Sequence, residues 1–197
     1  MVDVFRDVTG VVLAGGKSSR YGANKALARI EGTPLIARAT GVMKTLFKDV
    51  VLITNTPDLY AFLDLPMHED LIKGLGPLGG IYTALSAIGG EAGFFVACDM
   101  PTLNPALIRH MVNARQGCDV VVPRISGNME TLHALYGRRC LPHIKALIDV
   151  GQYHVIRFFP EVSVRYVEEE ETRRFDPQLT SFFNINRPQE LRRVPRQ

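Results

Sequence analysis

Three short stretches of this chain carry residues whose types and spacing could handle a phosphate. The first is Leu13-Ala14-Gly15-Gly16-Lys17-Ser18-Ser19-Arg20-Tyr21-Gly22-Ala23-Asn24-Lys25, which directly follows the apolar run Val8-Thr9-Gly10-Val11-Val12. A strand that runs into glycines presents backbone N–H groups at close range. Lys17, Arg20 and Lys25 add positive charge, so the stretch forms a cradle for a polyphosphate. The second is Asp99, at the end of Phe94-Phe95-Val96-Ala97-Cys98. A carboxylate held at a strand end suits magnesium, which takes one or two carboxylates and fills its shell with water and phosphate oxygens. Read alone, Asp99 is equally a turn or N-cap residue before Pro101; beside a phosphate loop, the metal role is the better reading. The third is Asn184-Ile185-Asn186. Strand alternation puts the two amides on one side, where they could ligate a hard cation or orient phosphate oxygens. Alternatively, Asn186 caps a helix that begins near Pro188.

Further candidates flank these. Asp70 precedes Lys73-Gly74-Leu75-Gly76-Pro77-Leu78-Gly79-Gly80. The glycines around Gly76 and Pro77 permit another close backbone approach, suited to a flat base or a ribose, or else form a surface loop. Asn55 follows a second apolar run and could bond a base or make an Asx turn before Thr56-Pro57. His133, in Thr131-Leu132-His133-Ala134-Leu135-Tyr136, could act as a base but reads better as a core or pocket-lining histidine.

The elements that must position these residues alternate between strand and helix. Continuous apolar strands are expected at residues 8–14, 50–54, 93–98 and 119–122. Helical spacing marks 34–47, with Thr33 as N-cap and Pro34 at N1. It also marks 57–63 with Thr56 placed to cap, 78–88, and a helix from Pro105 capped by Asn104. Buried strands separated by helices imply a three-layer α/β/α sandwich with a mostly parallel, Rossmann-like sheet. Ligands in such sheets bind beyond the carboxyl ends of the strands, where the first loop, Asn55 and Asp99 all fall. Later segments read as strands at 131–136, 162–167 and 181–185, helices at 140–150 and 154–159, a charged turn at 168–174 and a last helix from Arg187. The whole chain, 1–197, is expected to be one domain. Its first half, 8–123, would bind nucleotide, and 124–197 would bind the acceptor.

Composition agrees with a single globular domain: 197 residues, 46% hydrophobic, with a formal net charge of +3. That charge is too weak to argue for nucleic acid. Cys98, Cys118 and Cys140 are odd in number and in no C-x-x-C spacing, so they read as reduced thiols of a cytoplasmic protein. There is no apolar run of membrane-spanning length and no signal-peptide core, so no membrane partner is expected.

The first loop is not a P-loop, because Gly16 to Gly22 is one residue too long and Lys25 does not follow Gly22. It resembles the L-A-G-G-x-x-x-R-x-G-x-x-K loop of nucleotidyltransferases. Further along, Gly76-Pro77-Leu78-Gly79-Gly80, Cys98-Asp99-Met100-Pro101, Leu132-His133-Ala134-Leu135-Tyr136 and Asn184-Ile185-Asn186-Arg187-Pro188-Gln189-Glu190-Leu191 are similar to segments of the molybdenum cofactor guanylyltransferase family. The resemblance spans nearly the whole chain and implies a nucleotidyltransferase fold. It implies that Leu13, Ala14, Gly15, Lys25, Asn55, Asp70 and Asp99 bind GTP, with Gly16, Gly76 and Pro77 beside them. Lys25, Arg20 and Asp99 would be catalytic, Asp99 and Asn186 would bind Mg2+, and His133, Asn184 and Asn186 would face the acceptor. One departure is Glu130-Thr131-Leu132, where some relatives have Glu-Pro-Leu, which bears on acceptor contacts near Glu130.

The activity implied is transfer of GMP from GTP to the terminal phosphate of molybdopterin, with release of pyrophosphate. The partners are then these two substrates and, transiently, cofactor-handling proteins, with a monomer or weak homo-oligomer as the unit. The alternatives are a CTP-dependent molybdopterin cytidylyltransferase, a sugar-phosphate nucleotidyltransferase, and a non-catalytic nucleotide-sensing domain. Residue types alone do not separate guanine from cytosine.

Overall fold

The computed structural model describes residues 4–15, 24–185 and 188–193. In chain order the strands are β1 (Val8–Leu13), β2 (Arg29–Ile30), β3 (Thr33–Pro34), β4 (Val50–Ile53), β5 (Met67–His68), β6 (Ala92–Ala97), β7 (Val120–Ile125), β8 (Asn128–Met129), β9 (His133–Gly137) and β10 (Val164–Glu168). The α-helices are α1 (Leu35–Leu46), α2 (Pro77–Ala87), α3 (Pro105–Asn113), α4 (Leu141–Asp149) and α5 (Glu169–Arg173).

All six residues of β1 are buried, which requires cover on both faces of the sheet. Alternation sends Val8 and Val12 into one core with Ile36, Ala39 and Met43 of α1 and Leu107 and Met111 of α3. It sends Val11 and Leu13 into the other, with Leu78, Ile81 and Leu85 of α2 and Ile144 of α4. The result is the three-layer sandwich the sequence implies. The sheet runs β10-β7-β9-β6-β1-β4-β5, with β8 paired to β7. β1 is parallel to β4 and β6, β4 to β5, and β7 to β10; β9 is antiparallel to β6 and β7.

The chain order reverses at β1. β4, next in the parallel series, lies on one side, and β6 lies on the other. That is a topological switch point, which opens a crevice beyond the carboxyl ends of β1 and β6. Register keeps the crevice level: Leu13 sits opposite both Ile53 and Ala97, and Ile53 opposite His68.

Several local expectations need correction. Thr33 does not cap α1. It pairs with Ile30 in a two-stranded hairpin, Pro34 takes the N-cap position, and the Leu35 N–H is satisfied by the Ala28 carbonyl at 2.9 Å. Residues Pro57–Leu63 form a 3₁₀ helix, and the Thr56 side chain makes no cap bond to it. Residues Val155–Glu161 and Pro188–Arg193 are also 3₁₀. The charged turn expected at 168–174 contains the short helix α5, in which Arg173 reaches back to Glu169 one turn earlier.

Residues 181–185 are not a strand. A 3₁₀ turn at Thr180–Phe182 leads into unpaired backbone whose polar groups are used elsewhere. The Thr180 carbonyl accepts from Thr102 Oγ1 at 2.6 Å, Ser181 Oγ accepts from the Asn104 N–H at 3.0 Å, and the Ile185 N–H donates to the Asp99 carbonyl at 3.1 Å. The buried Asp176 carboxylate accepts from the N–H groups of Thr180 and Ser181, at 3.0 and 2.8 Å. This C-terminal segment is therefore a strap stitched to the 99–104 loop. Bonds to a loop and a carboxylate replace the ladder that the alternating pattern suggested.

Candidate active site at the switch point

Four strand ends and one helix start converge on the crevice. β1 ends at Leu13 and delivers Ala14 and Gly15. The Ala14 N–H bonds the Ile53 carbonyl at 2.9 Å, and the Cys98 N–H bonds the Leu13 carbonyl at 3.1 Å. These bonds extend the ladder one step past β1 and fix where the loop departs. Leu13 and Ala14 are each only 9% exposed. Gly16, Lys17, Arg20 and Gly22 lie outside the described residues, as does Asn186.

The chain re-enters the description at Asn24 and makes one 3₁₀ turn, Lys25–Leu27. Asn24 caps it, its Oδ1 accepting from the Ala26 N–H at 3.1 Å, while Ala26 is buried as an anchor. Lys25 Nζ then lies 2.5 Å from Asp99 Oδ2, with side chains 16% and 19% exposed. The loop cation and the strand-end carboxylate, 74 positions apart in sequence, are thus in contact across the crevice. Partial burial strengthens such a pair relative to one in water, and good geometry offsets the cost of desolvation.

Asn55 and Asp70 also meet. Asn55 Nδ2 donates to Asp70 Oδ2 at 2.7 Å, and the Asp70 N–H donates to Asn55 Oδ1 at 3.1 Å. The Asx-turn alternative for Asn55 does not hold, since its Oδ1 accepts the Asp70 N–H and Pro57, two residues on, has no N–H to offer. The Asn55 amide is spent across the strands and fixes the plane of the Asp70 carboxylate. The next residue is tied as well: the Leu71 N–H donates to Thr83 Oγ1 of α2 at 2.9 Å.

Gly76 and Pro77 start α2 at the same edge. Gly76 has φ +61° and ψ −145°, a conformation that a Cβ makes costly. Among the described residues no side chain caps the helix; Pro77 at its start carries no N–H, and the Gly79 N–H bonds the Gly76 carbonyl at 3.1 Å. Further along, a Cβ on Gly80 would sit 3.2 Å from Leu13 Cδ2, so glycine there lets α2 lie close on the end of β1.

The acceptor-side candidates fare differently. His133 is fully buried, with the rings of Phe94 and Phe182 set edge-on at 5.4 and 5.1 Å. Neither ring nitrogen has a hydrogen-bond partner among the described residues. Burial pushes its pKa down to about 4, while the Asp176 carboxylate pulls the other way. His133 is therefore a buried core residue held neutral by its surroundings, the core or pocket-lining reading that the sequence favours over a base. Asn184 lies in the strap with Oδ1 buried and without a partner among the described residues. Since 181–185 is not a strand, alternation does not place it beside Asn186. Burial also pushes the Glu130 carboxyl above its usual range, and pushes the Cys98 thiol up to about 12 beside Asp99. All three cysteines are free.

Two residues here were missed in the sequence. Asn24 carried a usable signal, a capping residue directly before a turn. Tyr60, whose hydroxyl lies 2.8 Å from Asn24 Nδ2, carried none, being 36 positions away.

A mostly parallel sheet that brings Gly15, a cation and a strand-end carboxylate to its switch point fits the nucleotidyltransferase class. Comparison with known proteins narrows this. Residues 10–167 match the model of the MobA-like NTP transferase domain, and the chain belongs to that family. It is 39% identical to the probable molybdenum cofactor guanylyltransferase of Pelotomaculum thermopropionicum, over 93% of this chain and 89% of the relative. It is 37% identical to the molybdenum cofactor guanylyltransferase of Desulfosudis oleivorans, over 95% and 94%. Among solved structures it resembles molybdopterin-guanine dinucleotide biosynthesis protein A from Archaeoglobus fulgidus, with a TM-score of 0.83 and 28% identity over 94% and 96% of the two chains.

The state of His133 gives a prediction about pH. Its folded pKa lies below the ordinary value near 6.5, so the unfolded chain binds more protons between about pH 6.5 and 4. Stability should fall as pH drops through that window. Urea unfolding across pH 4 to 7 should show a shallower decline in His133→Phe than in the wild type. An unchanged decline would mean that His133 is not buried neutral.

Proposed function

We propose that this protein transfers GMP from GTP to the terminal phosphate of molybdopterin and releases pyrophosphate. One observation carries the reading: Lys25 and Asp99 meet at 2.5 Å at the switch point, where a triphosphate cradled by the first loop would lie. The family and the printed names of the relatives support the substrates.

The acceptor is a phosphate monoester whose second pKa is about 6, so it is largely dianionic at neutral pH. It needs no general base, and the His133 side chain is fully buried. An acceptor oxygen attacks the α-phosphorus of GTP in line. The bond from that phosphorus to the bridging oxygen of the β-phosphate breaks, and its electron pair leaves with pyrophosphate. The obstacle is repulsion between anions. Lys25, with Arg20 in the loop before it, offsets the charge that develops on the leaving group.

Asp99 fits a magnesium site shared with the nucleotide. It is partly exposed at a strand end, and no group of three or more His, Cys, Asp or Glu residues gathers among the described residues. A cage of protein ligands is not what magnesium on a triphosphate uses. When bound, the ion neutralises phosphate charge. Lys25 pairs with the same carboxylate, so nucleotide and metal would exchange partners with this ion pair. Asn186 would complete the metal site, and Asn184 and Asn186 would face the acceptor.

Asp70 is placed to choose the base. An ionised carboxylate only accepts hydrogen bonds. Guanine presents adjacent N–H donors on its Watson–Crick edge, whereas cytosine and adenine mix a donor with an acceptor there. With Asn55 fixing its orientation, Asp70 favours guanine. The proposal includes a cytoplasmic location, which suits three free thiols; no helix among the described residues is long and apolar enough to cross a membrane.

Pyrophosphate release from GTP, molybdopterin and magnesium tests the transfer. Lys25→Ala should lower turnover by at least about 10²-fold, the loss of one transition-state charge contact, and Asp99→Ala should abolish magnesium-dependent turnover. Near wild-type rates in both variants would refute the mechanism. In the same assay, Asp70→Asn should lower the preference for GTP over CTP by about tenfold or more. An unchanged ratio would move base selection elsewhere.

A further inference from the structure

We propose that Tyr60 is a positioning residue for the reaction: through the Asn24 amide, its hydroxyl holds the Lys25 turn in register with Asp99. The inference rests on the role given to Lys25 above and adds a residue from a separate chain segment.

Tyr60 lies in the 3₁₀ helix Pro57–Leu63 that follows β4, and is 2% exposed. Its ring belongs to the core cluster that also holds Ala26 and Leu63. A phenylalanine would fill that slot equally well and would avoid burying a hydroxyl, which costs stability unless the group is bonded. The hydroxyl is bonded, and its partner is Asn24. Asn24 Nδ2 donates to it at 2.8 Å, and the hydroxyl lies 3.2 Å from Asn24 Oδ1. That Oδ1 is the atom that caps the Lys25 turn through the Ala26 N–H. One amide therefore joins the turn to a rigid core ring, immediately before the residue that pairs with Asp99. Burial holds the Tyr60 hydroxyl above its ordinary pKa, with the Asn24 hydrogen bond pulling the other way, so it stays protonated. The hydroxyl thus ties the segment that carries Lys25 to the core beside Pro57–Leu63.

The surrounding geometry explains why such a clamp is needed. Lys25 sits on a single 3₁₀ turn at the end of a long glycine-bearing loop, and a turn that short has no cooperative stability of its own. Its position must come from tertiary anchors, among them the buried Ala26 methyl and the Tyr60–Asn24 pair. A small misplacement of a charged group that acts on a transition state costs rate more than it costs stability.

The test is a double-mutant cycle on kcat/KM for GTP by pyrophosphate release, with thermal unfolding measured on every variant. Tyr60→Phe should lower kcat/KM about tenfold, as expected for one lost hydrogen bond to a positioning group, with little change in Tm. Asn24→Ala should produce a similar loss that does not add to that of Tyr60→Phe. In a Lys25→Ala background, Tyr60→Phe should cause no further loss, since groups that act as a unit are not additive. A wild-type rate in Tyr60→Phe and Asn24→Ala, with Lys25→Ala impaired, overturns the positioning role and leaves the role of Lys25 intact. Equal losses in both backgrounds, or a loss that tracks a lowered Tm, also overturn it. A wild-type rate in Lys25→Ala would instead refute the reading on which the proposal stands.

Discussion

The contact between Lys25 and Asp99 is the constraint around which the rest of the molecule is arranged. Neither residue can find the other from local structure. One follows β1 by way of a long loop, and the other ends β6. They meet because β1 and β6 are neighbours in register, with Leu13 opposite Ala97, and because the chain order reverses between them. A one-residue slip of that pairing would turn Val11 and Leu13 out of their core and move Asp99 along the crevice. The apolar packing on both sheet faces therefore fixes the chemistry indirectly, by making the register too costly to change.

Each group assigned to the proposed site is held by a second side chain or backbone contact. Asn24 caps the turn that carries Lys25, Asn55 orients Asp70, and Thr83 ties Leu71 to α2. The strap from Asp176 to Ile185 bonds the backbone of residues 99–104, including the Asp99 carbonyl. Beneath the strap, Phe182 closes over His133, which accounts for a neutral histidine with no polar partner among the described residues. The second half of the chain thus completes the sheet through β9 and β10 and clamps the loop that carries the carboxylate.

Much of this was legible in the sequence, for physical reasons. Strands buried on both faces read as continuous apolar runs, so β1, β4 and β6 and the layer architecture could be recognised directly. The position of Asp99 at a strand end was legible because it directly follows such a run, while its role was set only by the loop beside it. Asn104 was legible as a cap, and it does accept from the N–H groups of Ala106 and Leu107. Illegible were features decided by long-range competition for backbone hydrogen bonds. Thr33 looked like a cap until Ala28 satisfied the helix start, and residues 181–185 alternated like a strand but bond a loop instead. The pairing of Asn55 with Asp70, the pairing of Tyr60 with Asn24, and the burial of His133 depend on neighbours that no local pattern shows.

The central claim is that this crevice binds a guanine nucleotide through its triphosphate and its base. Calorimetric titration of the wild-type protein with GTP, CTP and ATP in magnesium tests it most directly. The account predicts clear binding of GTP at a concentration where CTP and ATP give little heat. Preferential binding of CTP, or no binding of any of the three, would contradict it.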